Sequence, residues 1–265
     1  MKPAKPVALI ASGNQTDSPM ARLLRLSGRL GPIKSPSYRV ASRIANIIRG
    51  GHPVKYYADL EECHLILVSV PDADIPKLVT ELASSEINWP GKAIVLCSTW
   101  LGSDEMEELS ARGAAVGSIS PIPGFEESRY LVEGDRMAIR ESRRLLEESG
   151  RRIIDIEGRL KPLYLASLTC TGSLLFGLLL AAAESLRHAG ITSAFSAMML
   201  EKQLGRSLRG YLKAGRKGCP ELREMPKILR ALAAADPELL QYVEQSSGMV
   251  ARLLERAGKG GPTGD

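Results

Sequence analysis

The sequence predicts an α/β fold: a mostly parallel sheet with helices on both faces, followed by an all-helical C-terminal region. Two observations carry this. Short apolar runs bounded by turn residues (VALI, HLILVSV, KAIVLC) alternate with amphipathic stretches through the first part of the chain, the signature of strands linked by crossover helices. From about Leu160 onward no strand-like run occurs, and the apolar spacing is helical. The change falls near Gly158, which predicts an α/β domain over 1–157, a helical domain over 158–257 and a disordered tail over 258–265 (GKGGPTGD).

Taken in order, Val7–Ser12 reads as a buried strand. Ser18 is placed to cap the next helix, with Pro19 in its first turn. Pro32–Ser35 is a short second strand, and Tyr38–Arg49 is a helix with Val40, Ile44, Ile47 and Ile48 on one face, stopped by Gly50-Gly51. His64–Val70 is a strand ending in Pro71-Asp72, and Ile75–Ser84 a helix. Lys92–Cys97 is a strand, Ser103 caps a helix containing Met106 and Leu109, and Ala114–Ile119 is a further strand. The following SPIPGF is expected to be irregular because of Pro121 and Pro123. Arg136–Ile139, a helix over Glu141–Ser149 and a strand over Arg152–Ile156 close this part. Four helices are predicted beyond it, over about 160–189, 194–214, 221–235 and 237–257.

Composition narrows the function classes. With 35 Lys and Arg against 30 Asp and Glu, the 265-residue chain carries a net charge of +5, and the excess lies in the C-terminal part. Its basic residues between Lys202 and Arg230 have little aromatic interleaving, so they read as a solvated helix face and a nucleic-acid partner is not expected. Cys63, Cys97, Cys170 and Cys219 form no C-x-x-C pair, and His52, His64 and His188 show no ligand spacing. Reduced thiols, a cytoplasmic location and no metal are expected. Leu163–Ala183 is free of charge and long enough to span a bilayer, but Ser167, Thr169, Thr171, Gly172, Ser173 and Gly177 interrupt it. A helix buried on all sides is the expectation, with no membrane partner.

The first strand, its loop and the next helix, ALIASGNQTDSPMARLL, have the order of a dinucleotide-binding unit. Such loops read G-x-G-x-x-G, so that backbone N–H groups approach a pyrophosphate at a helix N-terminus. Here only Gly13 remains, with Ala11 and Thr16 or Asp17 near the other two slots. Two readings stay open: Asp17 or Ser18 is simply a helix cap, or the Asp17 carboxylate at the helix start would also repel a diphosphate and weaken the cofactor. The second strand ends Lys34-Ser35-Pro36-Ser37-Tyr38-Arg39 without an acid, which favours NADP over NAD.

Three stretches resemble one family. They are HLILVSVPDADI, IVLCSTWLGSDEMEELSARGAAVGSISPIPGF and KPLYLASLTCTGSLLFGLLLAAAESLRHAGI. Together they are similar to Rossmann-like proteins carrying the domain of unknown function 2520, relatives of pyrroline-carboxylate reductase and 6-phosphogluconate dehydrogenase. The resemblance implies a Rossmann-like sheet, a 6-phosphogluconate dehydrogenase-like helical domain, NADP as cofactor and a small-molecule substrate in the interdomain cleft. It also implies a homodimer through the C-terminal helices. By the resemblance, Lys161 is the candidate acid/base, with Tyr164 and Ser98 beside it. Read from the residues alone, Lys161 is a solvated lysine at a helix start, and Cys97 a strand-end core residue rather than a nucleophile. Cofactor contacts fall to Ser12, Gly13 and Asn14 in the loop, to Ser37 and Arg39 after the second strand, and to Val70 and Pro71 after HLILVSV. The chain departs from the family pattern at Thr99, Ser120, Leu165 and Ser173, which hold positions of Gly, His, His and Asn. Two functions are therefore expected: an NADP-dependent oxidoreductase-like protein with a degenerate loop and weakened cofactor binding, or a non-catalytic dimeric ligand-binding or regulatory protein on the same scaffold.

Overall fold

A computed structural model describes residues 6–12, 28–219 and 225–256. The loop candidates Gly13 and Asn14, together with Asp17, Ser18 and the 258–265 tail, lie outside the described residues. The chain divides into two compact units, Met1–Leu165 and Ala166–Asp265. The first unit extends past the expected 157/158 boundary because Lys161 is anchored beneath the sheet.

The first unit is an eight-stranded sheet of β1 (Val7–Ala11), β2 (Leu30–Lys34), β3 (His52–Pro53), β4 (Leu65–Ser69), β5 (Ala93–Leu96), β6 (Ala115–Pro121), β7 (Arg129–Gly134) and β8 (Arg152–Asp155), in the order β3-β2-β1-β4-β5-β6-β7-β8. All neighbours run parallel except β6 and β7. The direction of growth reverses between β1 and β4. In open α/β sheets, ligands bind outside the carboxyl ends of the strands at such a point.

Alternate strand residues divide between two cores. Leu9, Ile33, Leu67 and Val95 meet α1 (Tyr38–Ile48) and α4 (Arg136–Glu148) on one face. Ile10, Ile66, Val68 and Ile94 meet α2 (Ile75–Ala83) and α3 (Glu107–Ala111) on the other. Being covered on both sides, these strands read as continuous apolar runs. Helix α1 is capped by Ser37, whose Oγ accepts from Val40 N at 3.3 Å. It ends at Arg49 in the left-handed region (φ 56°), one residue before the glycine pair expected to stop it.

Three expectations are corrected here. Strand β6 runs on to Pro121, because it pairs with β7, a strand absent from the sequence reading; Ser118 faces Glu133 and Pro121 faces Tyr130. Arg136 to Glu148 is one continuous helix. Ser103 does not cap a helix, since its N–H and hydroxyl both donate to Glu133.

The second unit is helical, as predicted. Helix α5 (Lys161–Thr169) begins in the first unit and passes through a π-turn at Cys170–Leu174 into α6 (Leu175–His188). Then follow α7 (Ser193–Ala214), α8 (Met225–Ala235) and α9 (Pro237–Arg256). Gly177 lets α9 come close: a Cβ there would lie 2.9 Å from Tyr242 Oη. The apolar helix is not buried on all sides. No residue of α6 is buried, and Phe176 is 62% and Leu180 57% exposed. Residues Gly158–His188 thus make one helix long and apolar enough to cross a membrane. Among the described residues of the second unit, α6 packs on α7 and α9. Lys202, Arg206, Arg209 and Lys213 on α7 are exposed, as a solvated face requires.

The β6–β7 hairpin gives a test. Gly134 has φ 121°, and a Cβ there would sit 2.4 Å from Val116 O. Gly134→Ala is expected to cost about 1–3 kcal/mol from backbone strain alone, with the clash adding to it, as read from the midpoint of urea unfolding.

Candidate functional site

Two features occupy the carboxyl ends of the strands in the first unit. The first is a cavity of about 320 Å³ beside the reversal point, lined by Ser12, Lys34, Ser35, Pro36, Val70 and Leu78 among others. It forms because β1, β2 and β4 end level with one another. Ser12 N donates to Ser69 O at 3.3 Å, and the Ser35 hydroxyl donates to Ala11 O, tying the three ends together. Lys34 stands at the rim. Its ammonium donates to Ser35 O at 2.6 Å and lies 4.7 Å above the Tyr57 ring. Burial lowers its pKa, opposed by Glu81. Tyr57 donates to Glu81 Oε2 at 2.9 Å, so that carboxylate is already engaged, and burial followed by this bond raises the phenol's pKa.

Of the sequence candidates here, Ser12 and Val70 line the cavity. Pro71 follows at the end of β4 and accepts from Asp74 N at 2.9 Å. Ser37 is spent as the α1 cap but keeps its own proton to donate, and Arg39 is exposed in the first turn of α1. The buried Ser12 Oγ has no hydrogen-bond partner among the described residues. A buried hydroxyl without a partner costs roughly 1–3 kcal/mol, which a ligand atom placed there would recover.

The second feature is a polar network around Lys161. Far from being solvated, Lys161 is 2% exposed. Its ammonium donates to Ser118 Oγ at 2.7 Å, to Ser98 O at 3.3 Å and to Leu101 O. An ammonium has three protons, and each is taken. Ser118 passes its own proton to Glu133 Oε1, and Glu133 also accepts from Ser103 N at 2.8 Å and Ser103 Oγ at 2.6 Å. Glu133 is 1% exposed. Burial lowers the Lys161 pKa, while Glu133, Asp104 and Asp72 work against that shift. The result is a buried cation and a buried anion joined through one serine.

Ser98 serves the same scaffold. Its hydroxyl donates to Asp72 Oδ1 at 2.9 Å and accepts from Trp100 N at 3.1 Å and Leu101 N at 3.0 Å. It thereby fixes the turn after β5 to the end of β4. Tyr164, one turn beyond Lys161, is half-buried, and burial raises its pKa. Cys97 packs against the core and burial pushes its thiol up to about 12, so it holds its proton at neutral pH. A cavity of about 590 Å³ opens beside the network, lined by Trp100, Ser103, Asp104, Arg159, Pro162 and Leu165 among others.

The structure therefore brings Lys161 and Ser98 together, and Ser12 with Val70, as two separate groups. Sequence reasoning placed Asp72 at the end of its strand but missed Ser118 and Glu133. The signal for Glu133 was present as one carboxylate closing the apolar run YLV.

Comparison with known proteins agrees with this architecture. Residues 37–121 match the model of a Rossmann-like domain. No protein of curated function matches the sequence. Among solved structures, a candidate NADP oxidoreductase of Bacteroides fragilis superposes with a TM-score of 0.69 at 16% identity, covering 93% of this chain and 97% of that one. An imine reductase of Myxococcus stipitatus in complex with NADP+ gives 0.65 at 17% identity, covering 96% and 94%. A reductive aminase of Aspergillus terreus, in complex with NADPH and ethyl-5-oxohexanoate, gives 0.66 at 18% identity, covering 97% and 96%. At these identities the likeness shows the fold: a Rossmann-like sheet followed by helices.

The network makes a direct prediction. Lys161→Met leaves Glu133 buried without its cation and is expected to cost about 3–5 kcal/mol in urea unfolding. Glu133→Gln should cost less, and the Lys161→Met/Glu133→Gln double variant much less than the sum of the two, which would report their coupling.

Proposed function

We propose that the chain is an NADP-dependent oxidoreductase of small molecules, with a weakened phosphate loop. The observation that carries this reading is the cavity at the ends of β1, β2 and β4, which has Lys34 and Ser35 at its β2 side and no acid ending that strand. A carboxylate there would suit the bare ribose of NAD, whereas a cation suits a 2′-phosphate. The residues fit the cofactor: Lys34, Ser37 and Arg39 for the phosphate, and Ser12, Val70 and Pro71 for the body of the dinucleotide, with the Ser12 hydroxyl awaiting a partner. When bound, the nicotinamide supplies or accepts the hydride.

The chain's own residues divide the remaining work. Lys161 holds the turn after β5 in place, and with all three protons engaged it is poorly placed to exchange one with a substrate. Tyr164, one turn along α5 and with its phenol protonated at neutral pH, is the candidate proton donor that is left. The resemblance to imine reductases and a reductive aminase directs the choice of substrates to C=N and C=O compounds. The occupied Lys161 also favours the second reading, a non-catalytic ligand-binding protein on the same scaffold.

Fluorescence titration and a turnover screen separate the two. NADPH is expected to bind at least tenfold more tightly than NADH, Lys34→Ala to erase that preference, and Asp17→Asn to tighten binding by removing the repulsion at the loop. Oxidation of NADPH by an imine or carbonyl, abolished in Tyr164→Phe with NADPH binding kept, supports the enzyme. Binding without turnover supports the second reading, and no binding of either nucleotide overturns the proposed cofactor.

The open face of the second unit supports a second copy of the chain as partner. Phe176, Leu180, Leu208 and Leu212 are each more than half exposed, from 57% to 74%. Large apolar side chains exposed in this number on two packed helices are what an interface with another chain would cover. Light scattering after size exclusion should give twice the chain mass, and Phe176→Glu/Leu180→Glu should give a folded monomer; a monomeric wild type rejects the assignment.

A further inference from the structure

In the second unit, Glu184 and His188 stand four residues apart on the last turn of α6, so their heads share one face. Asp236 joins them from the junction of α8 and α9. Its Oδ1 accepts from Glu238 N and Leu239 N, both at 3.0 Å, so the backbone orients the carboxylate. The other oxygen, Oδ2, lies 3.6 Å from His188 Nε2, and Glu184 Oε1 lies 3.5 Å from the same nitrogen. One donor atom of each residue falls within 4.8 Å of the other two.

We propose that Glu184, His188 and Asp236 form a zinc-type divalent-cation site. Tetrahedral zinc with bonds of roughly 2.0–2.2 Å sets its donors roughly 3.3–3.6 Å apart, which two of the three separations here already match. Two carboxylates neutralise a divalent charge. The C-terminal end of α6 adds its negative partial charge. A mixed nitrogen and oxygen set selects zinc, cobalt or nickel over magnesium, which asks for oxygen alone in octahedral array. The backbone bonds to Asp236 act as the outer support that preorganised sites have. Arg187 is the competitor: its Nε donates to Glu184 Oε1 at 2.9 Å, and its Nη2 donates to the same oxygen and lies 3.4 Å from His188 Nε2. That side chain is 66% exposed, and an exposed pair of this kind is weak enough for the metal to displace. A bound cation would staple the end of α6 to the α8–α9 junction and leave one coordination position to water. The site uses none of the residues proposed for the dinucleotide.

The test uses the full, tag-free chain with Cys170→Ser and Cys219→Ser, so that exposed thiols do not compete for metal. Calorimetry should show one equivalent of Zn²⁺ bound, unaffected by about a hundredfold excess of Mg²⁺. Co²⁺ should give the intense visible band of a four-coordinate site without a thiolate charge-transfer band. His188→Gln and Asp236→Asn should each weaken Zn²⁺ binding at least tenfold while keeping the circular dichroism of the parent, and Arg187→Gln should bind as well or better. Absence of saturable binding, or retention of full affinity in both ligand variants, would overturn the proposal.

Discussion

Lys161 places its ammonium beneath the carboxyl ends of β5 and β6, where the Ser98 and Leu101 carbonyls and the Ser118 hydroxyl receive its three protons. Burying a charge this fully is unfavourable by several kcal/mol unless its bonds are satisfied and an opposite charge lies near. Glu133 supplies that charge through Ser118, and Ser103 satisfies Glu133 in turn. The consequence is geometric. The turn from Ser98 to Leu101, the end of β6, the last residues of β7 and the first turn of α5 must all hold their places together, because moving any one strands a buried ion. Ser98 extends the constraint to Asp72 at the end of β4. The mouth of the sheet is thus set by a polar framework laid over an apolar core.

This framework also explains why the antiparallel strand matters. In a purely parallel sheet the partner of β6 would enter from a crossover helix, and its carboxyl end would lie beside that of β6. Antiparallel β7 instead brings Glu133, two residues after the apolar pair Leu131 and Val132 begins, level with Ser118. The hairpin delivers the anion to the place where the Lys161 cation arrives from α5. The adjoining cavity at β1, β2 and β4 meets that network only at the end of β4, where Ser98 holds Asp72. It depends on Ser35 tying β2 to β1 and on Lys34 being held over Tyr57, a second and independent polar device at the same edge of the sheet.

Much of the fold was legible in the sequence, because continuous apolar runs and 3.6-residue periodicity report burial directly. Strands β1, β4 and β5 and helices α1, α2, α7 and α9 stand where their patterns predict. Strand β7 was hidden: its run is short, it follows two prolines, and a charged residue occupies a buried slot, so local pattern argued for a loop. Only the pairing with β6 makes it a strand. The site was less legible for the same reason. Lys161 could be named from resemblance, but its burial could not, since a lysine at a helix start is ordinarily solvated. The buried state follows from groups 28 to 63 residues away in sequence, Glu133 and Ser98 among them, which no local window connects. Ser12 and Val70 were found because strand ends are readable, whereas Gly13 and Asn14 fall outside the described residues.

The two units handle burial in opposite ways. The first encloses its strands between two complete cores and completes even its charged groups internally. In the second, α6 has no buried residue, and among the described residues the burial is confined to Ser196, Leu232 and Leu239. Helices of this length gain most of their stability from packing an apolar stripe, not from propensity. Among the described residues the packing is α6 on α7, Tyr242 against Gly177, the end of α6 against the Asp236 turn, and α8 against α9. An apolar face with so little cover among the described residues is the kind of surface a partner would cover, and the leucines and phenylalanines it presents ask for an equally apolar one. A second copy meets that need without a new surface, because a face that is apolar in one chain is apolar in its twin, and a two-fold axis lets each cover the other.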